Sequence, residues 1–371
     1  MTKTEPTSTS SLVPPYIKDL AQYVPGSLIE DVLEAYGLTQ AVKLASNENS
    51  LGSSPKAMEA VTEAMRGLHR YGDADSRRLR QAISRYVNYP IEGIIAGNGS
   101  SEFVFVLSHA LLNQDLSAVM SRPSFTLYAK NSQAAGALVR EIPLTKDYGH
   151  DLKKIRQNID NSTRLVFLDN PLNPTGAYLS PEEITDFLND LPEKTILVLD
   201  EAYIDFCRAP RPDYQALLET NQVVILRTFS KIYGLAGLRA AYALCPPALA
   251  AELNKVRQPF NLNNLAQAAV IGALTDTDHL KNTLAMTWAA IDRFNKELPA
   301  LGLKAYPTEA NFIMAGLPEG LSADTLTLAL LKEGIIIRSL TSFGLPNHVR
   351  INAGTSMELN VFFPALKKVL E

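Results

Sequence analysis

Cysteine is scarce in this chain, with Cys207 and Cys245 the only two among 371 residues. So few thiols in so long a chain exclude a disulfide framework and argue for a reducing compartment, with the cytoplasm as the expected location. Their spacing fits neither a CxxC redox pair nor a metal site, so both read as small buried apolar groups. Charge is sparse too, at 20% of residues with a formal net charge of -4. No block of Lys and Arg stands out. A nucleic-acid footprint needs clustered cations, so no nucleic-acid partner is expected. No apolar run reaches transmembrane length, and no signal-peptide core lies near the start, so no membrane partner is expected either. Internal repeats and long low-complexity linkers are missing as well. The glycines never fall into G-x-G-x-x-G after a strand, which disfavours a dinucleotide-dependent oxidoreductase.

What is present is apolar content, 46% of the chain, ample for a large core and for a second domain. The runs "GIIAG", "SAVMS", "RLVFLDN", "TILVLDEAY", "QVVILRT" and "AAYALC" read as strands. Their near-continuous apolar character suits a mostly parallel sheet covered on both faces. Helical patterns lie between them. "SPEEITDFLND" places Ser180 as N-cap, Pro181 at the first helical position and Glu183 as the partner in a capping box, and "SSPKAMEAVTEAM" starts similarly at Ser54-Pro55. The alternation predicts an α/β fold, doubly wound, with a large domain over 42–265. After Pro259 long helical patterns take over. "HLKNTLAMTWAAIDRFNKEL" is long enough to bridge two domains, and short strands then alternate with helices in a smaller α+β domain over 266–371. Residues 1–41 read as an N-terminal arm that packs on the small domain or on a neighbouring subunit.

In open α/β sheets ligands sit beyond the carboxyl ends of the strands. The segments after each predicted strand therefore carry the functional reading. "NGSSEF" opens a helix at Ser100 and Ser101, whose free N–H groups and hydroxyls suit an anion. Taken alone, an ordinary N-cap explains them. "RPSFTLY" offers Phe125, which could stack on a flat ring, although a core phenylalanine is commoner. "NPLNPTG" places Asn173 in a turn that Pro174 and Gly176 build. "TILVLDEAY" ends an apolar strand in Asp200, a carboxylate that is costly there unless it meets a cation. Tyr203 follows three positions on. "RTFSKIYGLAGLR" sets Ser230 and Lys231 straight after a buried strand, with Arg239 eight positions beyond the lysine. Each residue alone has an ordinary structural explanation: a salt bridge, a packed phenol, a solvated lysine.

Together they match the needs of pyridoxal 5'-phosphate: a lysine for the Schiff base, a carboxylate for the ring nitrogen, a partner for the ring oxygen, a stacking ring and a phosphate cup. Lys231 then reads as the nucleophile that holds the cofactor and, once freed, as the proton carrier at the substrate carbon.

The motifs "KLASNEN", "HRYGD", "GNGSSE", "NPTG", "DEAY", "RTFSKIYGLAGLR" and "VRQPFN" appear in that order, between "YVPG" at Tyr23 and "VRINAGT" near the end. On these the chain resembles the fold-type I, class I/II pyridoxal-phosphate aminotransferases, and most closely the histidinol-phosphate aminotransferase family. That resemblance implies a seven-stranded, mostly parallel sheet in the large domain. It implies that Lys231 carries the cofactor, Asp200 pairs with the ring nitrogen, Tyr203 and Asn173 meet the ring oxygen and Phe125 stacks. Ser100, Ser101, Ser230 and Arg239 would cup the phosphate. Tyr71 would reach the phosphate in the partner subunit of a homodimer. Tyr23, Arg338 and Arg350 would bind the substrate's own phosphate, with Asn173 beside it, and Arg350 would also take the carboxylate of glutamate. The implied reaction exchanges an amino group between L-histidinol phosphate and 2-oxoglutarate in histidine biosynthesis.

The chain departs from the family's usual pattern at Leu172, in "RYGDADS", in "RINAG" and in "RSLTSFGLP". None of these removes a cofactor group. The last two lie beside the substrate arginines and leave the amino donor open. An aromatic amino acid aminotransferase and a threonine-phosphate decarboxylase share this frame. "YVPG" and "VRQPFN" favour the histidinol-phosphate aminotransferase reaction over decarboxylation. A sensor with an appended DNA-binding module is disfavoured, because only about twenty residues precede the first motif.

Overall fold

The computed structural model describes residues 12–22 and 26–371. Tyr23 lies outside the described residues. A short strand, β1 (Val42–Lys43), precedes the main sheet and belongs elsewhere. The strands β2 (Ile94–Gly97), β3 (Ser117–Arg122), β4 (Leu138–Pro143), β5 (Thr163–Asp169), β6 (Ile196–Asp200), β7 (Val223–Thr228) and β8 (Ala241–Leu244) form one seven-stranded sheet. Its order is β2-β8-β7-β6-β5-β3-β4. Only β8 runs antiparallel to its neighbours. The fold class read from the sequence therefore holds.

The unbroken apolar runs have their reason in burial on both faces. Leu197 and Leu199 of β6 face one core with Val166, Leu168 and Ile225, whereas Val198 faces another with Phe167 and Val224. Each fully buried aliphatic side chain here stabilises the fold by about 1.5–3 kcal/mol. Helices start where capping residues stand. Ser180 and Glu183 form the reciprocal capping box of the helix Pro181–Asn189, and Ser54 caps Pro55–Ala64 through the Ala57 amide.

A further core forms around β9 (Lys304–Ala305), β10 (Phe312–Gly316), β11 (Ile335–Ile336), β12 (Arg338–Ser339) and β13 (His348–Asn352). The antiparallel order is β12-β13-β10-β9, and β11 pairs in parallel with β1. Leu44 belongs to this smaller core, and the helix Asn264–Ala273 belongs to the larger one. The helix Thr277–Ala300 joins the two, with Leu280 and Leu284 against the large core and Ala290, Ile291, Phe294 and Leu298 in the small one. The N-terminal segment splits between them. Tyr16, on Pro15–Lys18, approaches Gly136 beside the large sheet, and Val32, on Ile29–Tyr36, packs with Ala45 and Ile336.

Candidate active site

Parallel strands end together, and that fact builds the site. In the register of the sheet Asp169 ends β5 beside Asp200, which ends β6. The chain after β7 brings Lys231 to the same edge. A cavity of about 830 Å³ opens there between the two cores, with Phe125, Asn173, Tyr203, Lys231, Arg338 and Arg350 in its wall. Its size suits a small cofactor with its substrate. The lining thus brings together six residues proposed from the sequence, drawn from both cores.

Lys231 Nζ lies 5.6 Å from the centroid of the Tyr203 ring and reaches the Ser46 carbonyl at 3.4 Å. Burial lowers its pKa to about 8, and Arg350 and Arg239 push the same way against the pull of Glu48 and Asp200. A half-buried amine that sheds its proton near neutrality is suited to nucleophilic attack. Asp200 is buried, and desolvation raises its carboxyl to about 6. Hydrogen bonds from Tyr128 Oη (2.8 Å) and the Ala202 amide (3.1 Å) oppose that rise, as does Lys231 at longer range. The carboxylate has hydrogen-bond donors but no contacting cation among the described residues, so a protonated ring nitrogen would complete it.

Asn173 follows the sharp turn after β5. Its amide donates to Asp169 Oδ2 at 2.9 Å, and its side-chain Oδ1 accepts from Arg350 Nη1. Arg350 also donates to the Ala45 carbonyl at 2.8 Å and stands 5.2 Å from the Phe312 ring centroid. Phe125 is half-buried and meets Tyr128 edge-on, with centroids 5.4 Å apart.

The predicted phosphate cup lies outside the lining of this cavity. Ser100 and Ser101 do open the helix Ser100–Leu111. Gly99 precedes it at φ 85, where a Cβ would sit 2.4 Å from Arg239 Nη2. Arg239 therefore lies over the start of that helix, and a side chain at position 99 would have to displace its guanidinium as well as hold a left-handed φ. Ser230 is buried, and its amide donates to Thr228 Oγ1 at 3.1 Å. Tyr71 stands apart, 87% exposed, against Phe260 with ring centroids 4.9 Å apart.

Sequence reasoning missed three residues of the site. Tyr128 is fully buried, stacked on Phe167 at 4.8 Å, and donates to Asp200. It stands three positions after Phe125, just inside the helix Leu127–Ala134, and that spacing was its only signal. Asn47 donates from Nδ2 to Tyr203 Oη at 2.9 Å. Asp169 holds the Asn173 amide, and burial raises its carboxyl pKa, with the Asp200 charge adding to the rise.

The profile described as aminotransferase class I and II matches residues 39–366. The chain belongs to the class I and II aminotransferases. It is 41% identical over 364 residues to a histidinol-phosphate aminotransferase of Desulfotalea psychrophila, covering 97% of this chain and 95% of that one. Histidinol-phosphate aminotransferase 2 of Pseudomonas fluorescens is 40% identical over 97% of this chain and 98% of its own. Among solved structures, histidinol-phosphate aminotransferase from Sinorhizobium meliloti in complex with pyridoxal-5'-phosphate superposes with a TM-score of 0.89 at 28% identity, over 98% of each chain. The cavity of this aminotransferase therefore sits in a frame that carries pyridoxal phosphate in a similar protein. No helix among the described residues is long and apolar enough to cross a membrane.

Proposed function

We propose that this chain exchanges an amino group between L-histidinol phosphate and 2-oxoglutarate, with pyridoxal 5'-phosphate held on Lys231. The observation that carries the reading is one cavity with Lys231 on one wall, Asp200 behind it and Arg338 and Arg350 on another. The donor set fits the cofactor. Asp200 is a buried carboxylate that awaits a cation, Phe125 offers a ring face, and Gly99 leaves a cradle below Arg239. Ser100, Ser101, Ser230 and Arg239 would hold the phosphate group, and Tyr203 and Asn173 the ring oxygen. Bound there, the cofactor supplies an electron sink for charge that develops at the substrate carbon.

The chain's own residues do the rest. The Lys231 amine, once freed from the cofactor, would carry the proton that leaves the substrate's amine-bearing carbon, a task its lowered pKa suits. Arg350, fixed by Asn173 and Ala45, and Arg338 grip the substrate's phosphate, with Tyr23 as a third anchor. Arg350 takes a glutamate carboxylate in the second half of the reaction.

The two cores are read as two domains joined along Thr277–Ala300, so the substrate is gripped between them. The exposed pair Tyr71 and Phe260 supports a homodimer in which Tyr71 completes the partner's phosphate site. Cys207 and Cys245, free and buried, support residence in the cytoplasm. Relatives about 40% identical over nearly the full length carry the aminotransferase name, which favours amino transfer over the decarboxylase reading.

An absorbance spectrum of the purified protein tests the proposal. Addition of L-histidinol phosphate alone should bleach the visible band, and 2-oxoglutarate should restore it. A band that ignores L-histidinol phosphate would overturn the donor.

A further inference from the structure

The segment from Leu44 to Asn49 carries the "SNEN" part of a motif that the reaction above leaves without a role. It threads between the two cores, and its carbonyls are claimed in turn. Ala45 accepts from Arg350 at 2.8 Å, Ser46 from Lys231 at 3.4 Å, Asn47 from Asn311 at 3.2 Å and Glu48 from Asn352 at 3.0 Å. The segment thus touches the proposed substrate arginine and the proposed cofactor lysine on successive residues.

The Asn47 side chain turns back onto a cofactor group. Asn47 is 1% exposed and sits at φ 54, a left-handed conformation that asparagine tolerates better than most residues. Its Nδ2 donates to Tyr203 Oη at 2.9 Å, inside the wall of the cavity. A phenol carries one hydrogen to give, and its oxygen can accept. The amide N–H fills the accepting side and cannot take the phenol's hydrogen. That hydrogen is left to point into the cavity. Burial keeps it in place by raising the Tyr203 pKa to about 12.

We infer that Asn47 is a positioning residue, which fixes Tyr203 as a donor toward the cofactor's ring oxygen and so sets the pH at which the lysine-bound cofactor loses its proton. The inference rests on the cofactor assignment made above. A donor on the ring oxygen stabilises negative charge there. The proton shared with the Lys231 nitrogen then leaves at lower pH. The charged groups that face Tyr203 are Arg350 on β13, Asp200 on β6, Asp169 on β5 and Lys231 after β7, and all stay unchanged in the variants below.

The test is a spectrophotometric pH titration of the holoprotein's visible band. Asn47→Gly removes the amide and keeps the backbone conformation. Asn47→Asp keeps the shape but offers an acceptor that draws the phenol hydrogen away from the ring. The midpoint should rise by roughly 0.5 to 1 unit in Asn47→Gly and further in Asn47→Asp. In a Tyr203→Phe background Asn47→Gly should not move it, and Asn47→Asp should move it only by the charge it adds. Cofactor retention should match wild type in Asn47→Gly. An unshifted midpoint in both variants, an Asn47→Gly shift that persists without the Tyr203 hydroxyl, or loss of the band from both variants would overturn the role. A wild-type protein with no visible band would overturn the cofactor assignment and this inference together, an outcome separable from an unshifted midpoint.

Discussion

Arg338 and Arg350 stand directly opposite each other on β12 and β13, so both side chains leave the same face of the small sheet. Like charges placed opposite across strands repel. Arg350 is buried and braced by Asn173 Oδ1 and the Ala45 carbonyl, whereas Arg338 is half-exposed at the cavity. A dianion between them relieves the repulsion and gains charge-assisted hydrogen bonds from both. Arg350→Ala should lower kcat/KM for L-histidinol phosphate and for glutamate alike, each by roughly 10- to 100-fold. Arg338→Ala should cost more for the phosphate substrate than for glutamate. Steady-state kinetics with both donors checks this, and an Arg350→Ala defect confined to one donor would remove it as the shared anchor.

Tyr128 acts on Asp200, the proposed partner of the ring nitrogen. Its hydroxyl donates to Asp200 Oδ2 at 2.8 Å and holds the carboxyl below the value that burial alone would set. In Tyr128→Phe that donor is gone, so the Asp200 pKa rises. A protonated Asp200 no longer pairs with a cationic ring. The acid limb of the kcat/KM profile should therefore move to higher pH, with a loss of roughly 5- to 10-fold near pH 7. An acid limb that stays in place would show that Tyr128 only fills space.

Lys231 should leave a signature in the stability of the cofactor-free protein. Its pKa falls from an ordinary 10.5 to about 8 in the fold. Between those values the unfolded chain binds more protons than the folded one, so stability rises with pH across that window. Below about pH 8 the lysine is charged in both states, and the folded state bears the full cost of burying it. Lys231→Met should thus stabilise the cofactor-free protein at pH 7, by a margin that shrinks as pH approaches 10.5. Urea unfolding of both proteins at several pH values checks the trend. The same variant should have no turnover and a wild-type circular dichroism spectrum.

The strand ends were readable because a buried parallel strand has nowhere to put a polar residue except at its end. Asp200 and Lys231 stood out against "ILVL" and "VVILRT" for that reason, and the structure places both at one edge. Tyr128 was not readable in the same way. It sits within a helix whose apolar and polar residues alternate weakly, and its hydroxyl matters only because β6 passes beneath it. Asn47 lies in an irregular segment with no period to read. Its partner Tyr203 is 156 positions away in the chain. The pairing of Arg338 with Arg350 depends on strand register, which a long loop between β12 and β13 leaves free in the sequence. Resemblance supplied those two arginines, and spacing alone would not have.

Tyr71 would gain from the proposed homodimer a role that this chain alone does not give it. It is 87% exposed, it leans on Phe260, itself 47% exposed, and neither ring lines this chain's own cavity. Water around two neighbouring aromatic rings is unfavourable unless another surface covers them. If the proposed homodimer sets the Tyr71 hydroxyl in the neighbour's phosphate site, Tyr71→Ala should weaken cofactor binding. Lys231→Ala should inactivate the site of its own chain. In a mixed dimer the two defects fall in the same site. That site takes Lys231→Ala from one chain and Tyr71→Ala from the other, and the second site keeps both intact groups. At a cofactor concentration too low to load Tyr71→Ala homodimers, co-refolding the two variants should therefore restore about a quarter of wild-type turnover, since half the dimers are mixed and each has one good site. Turnover that stays at the level of the separate variants would place the Tyr71 hydroxyl in its own chain's site or in none.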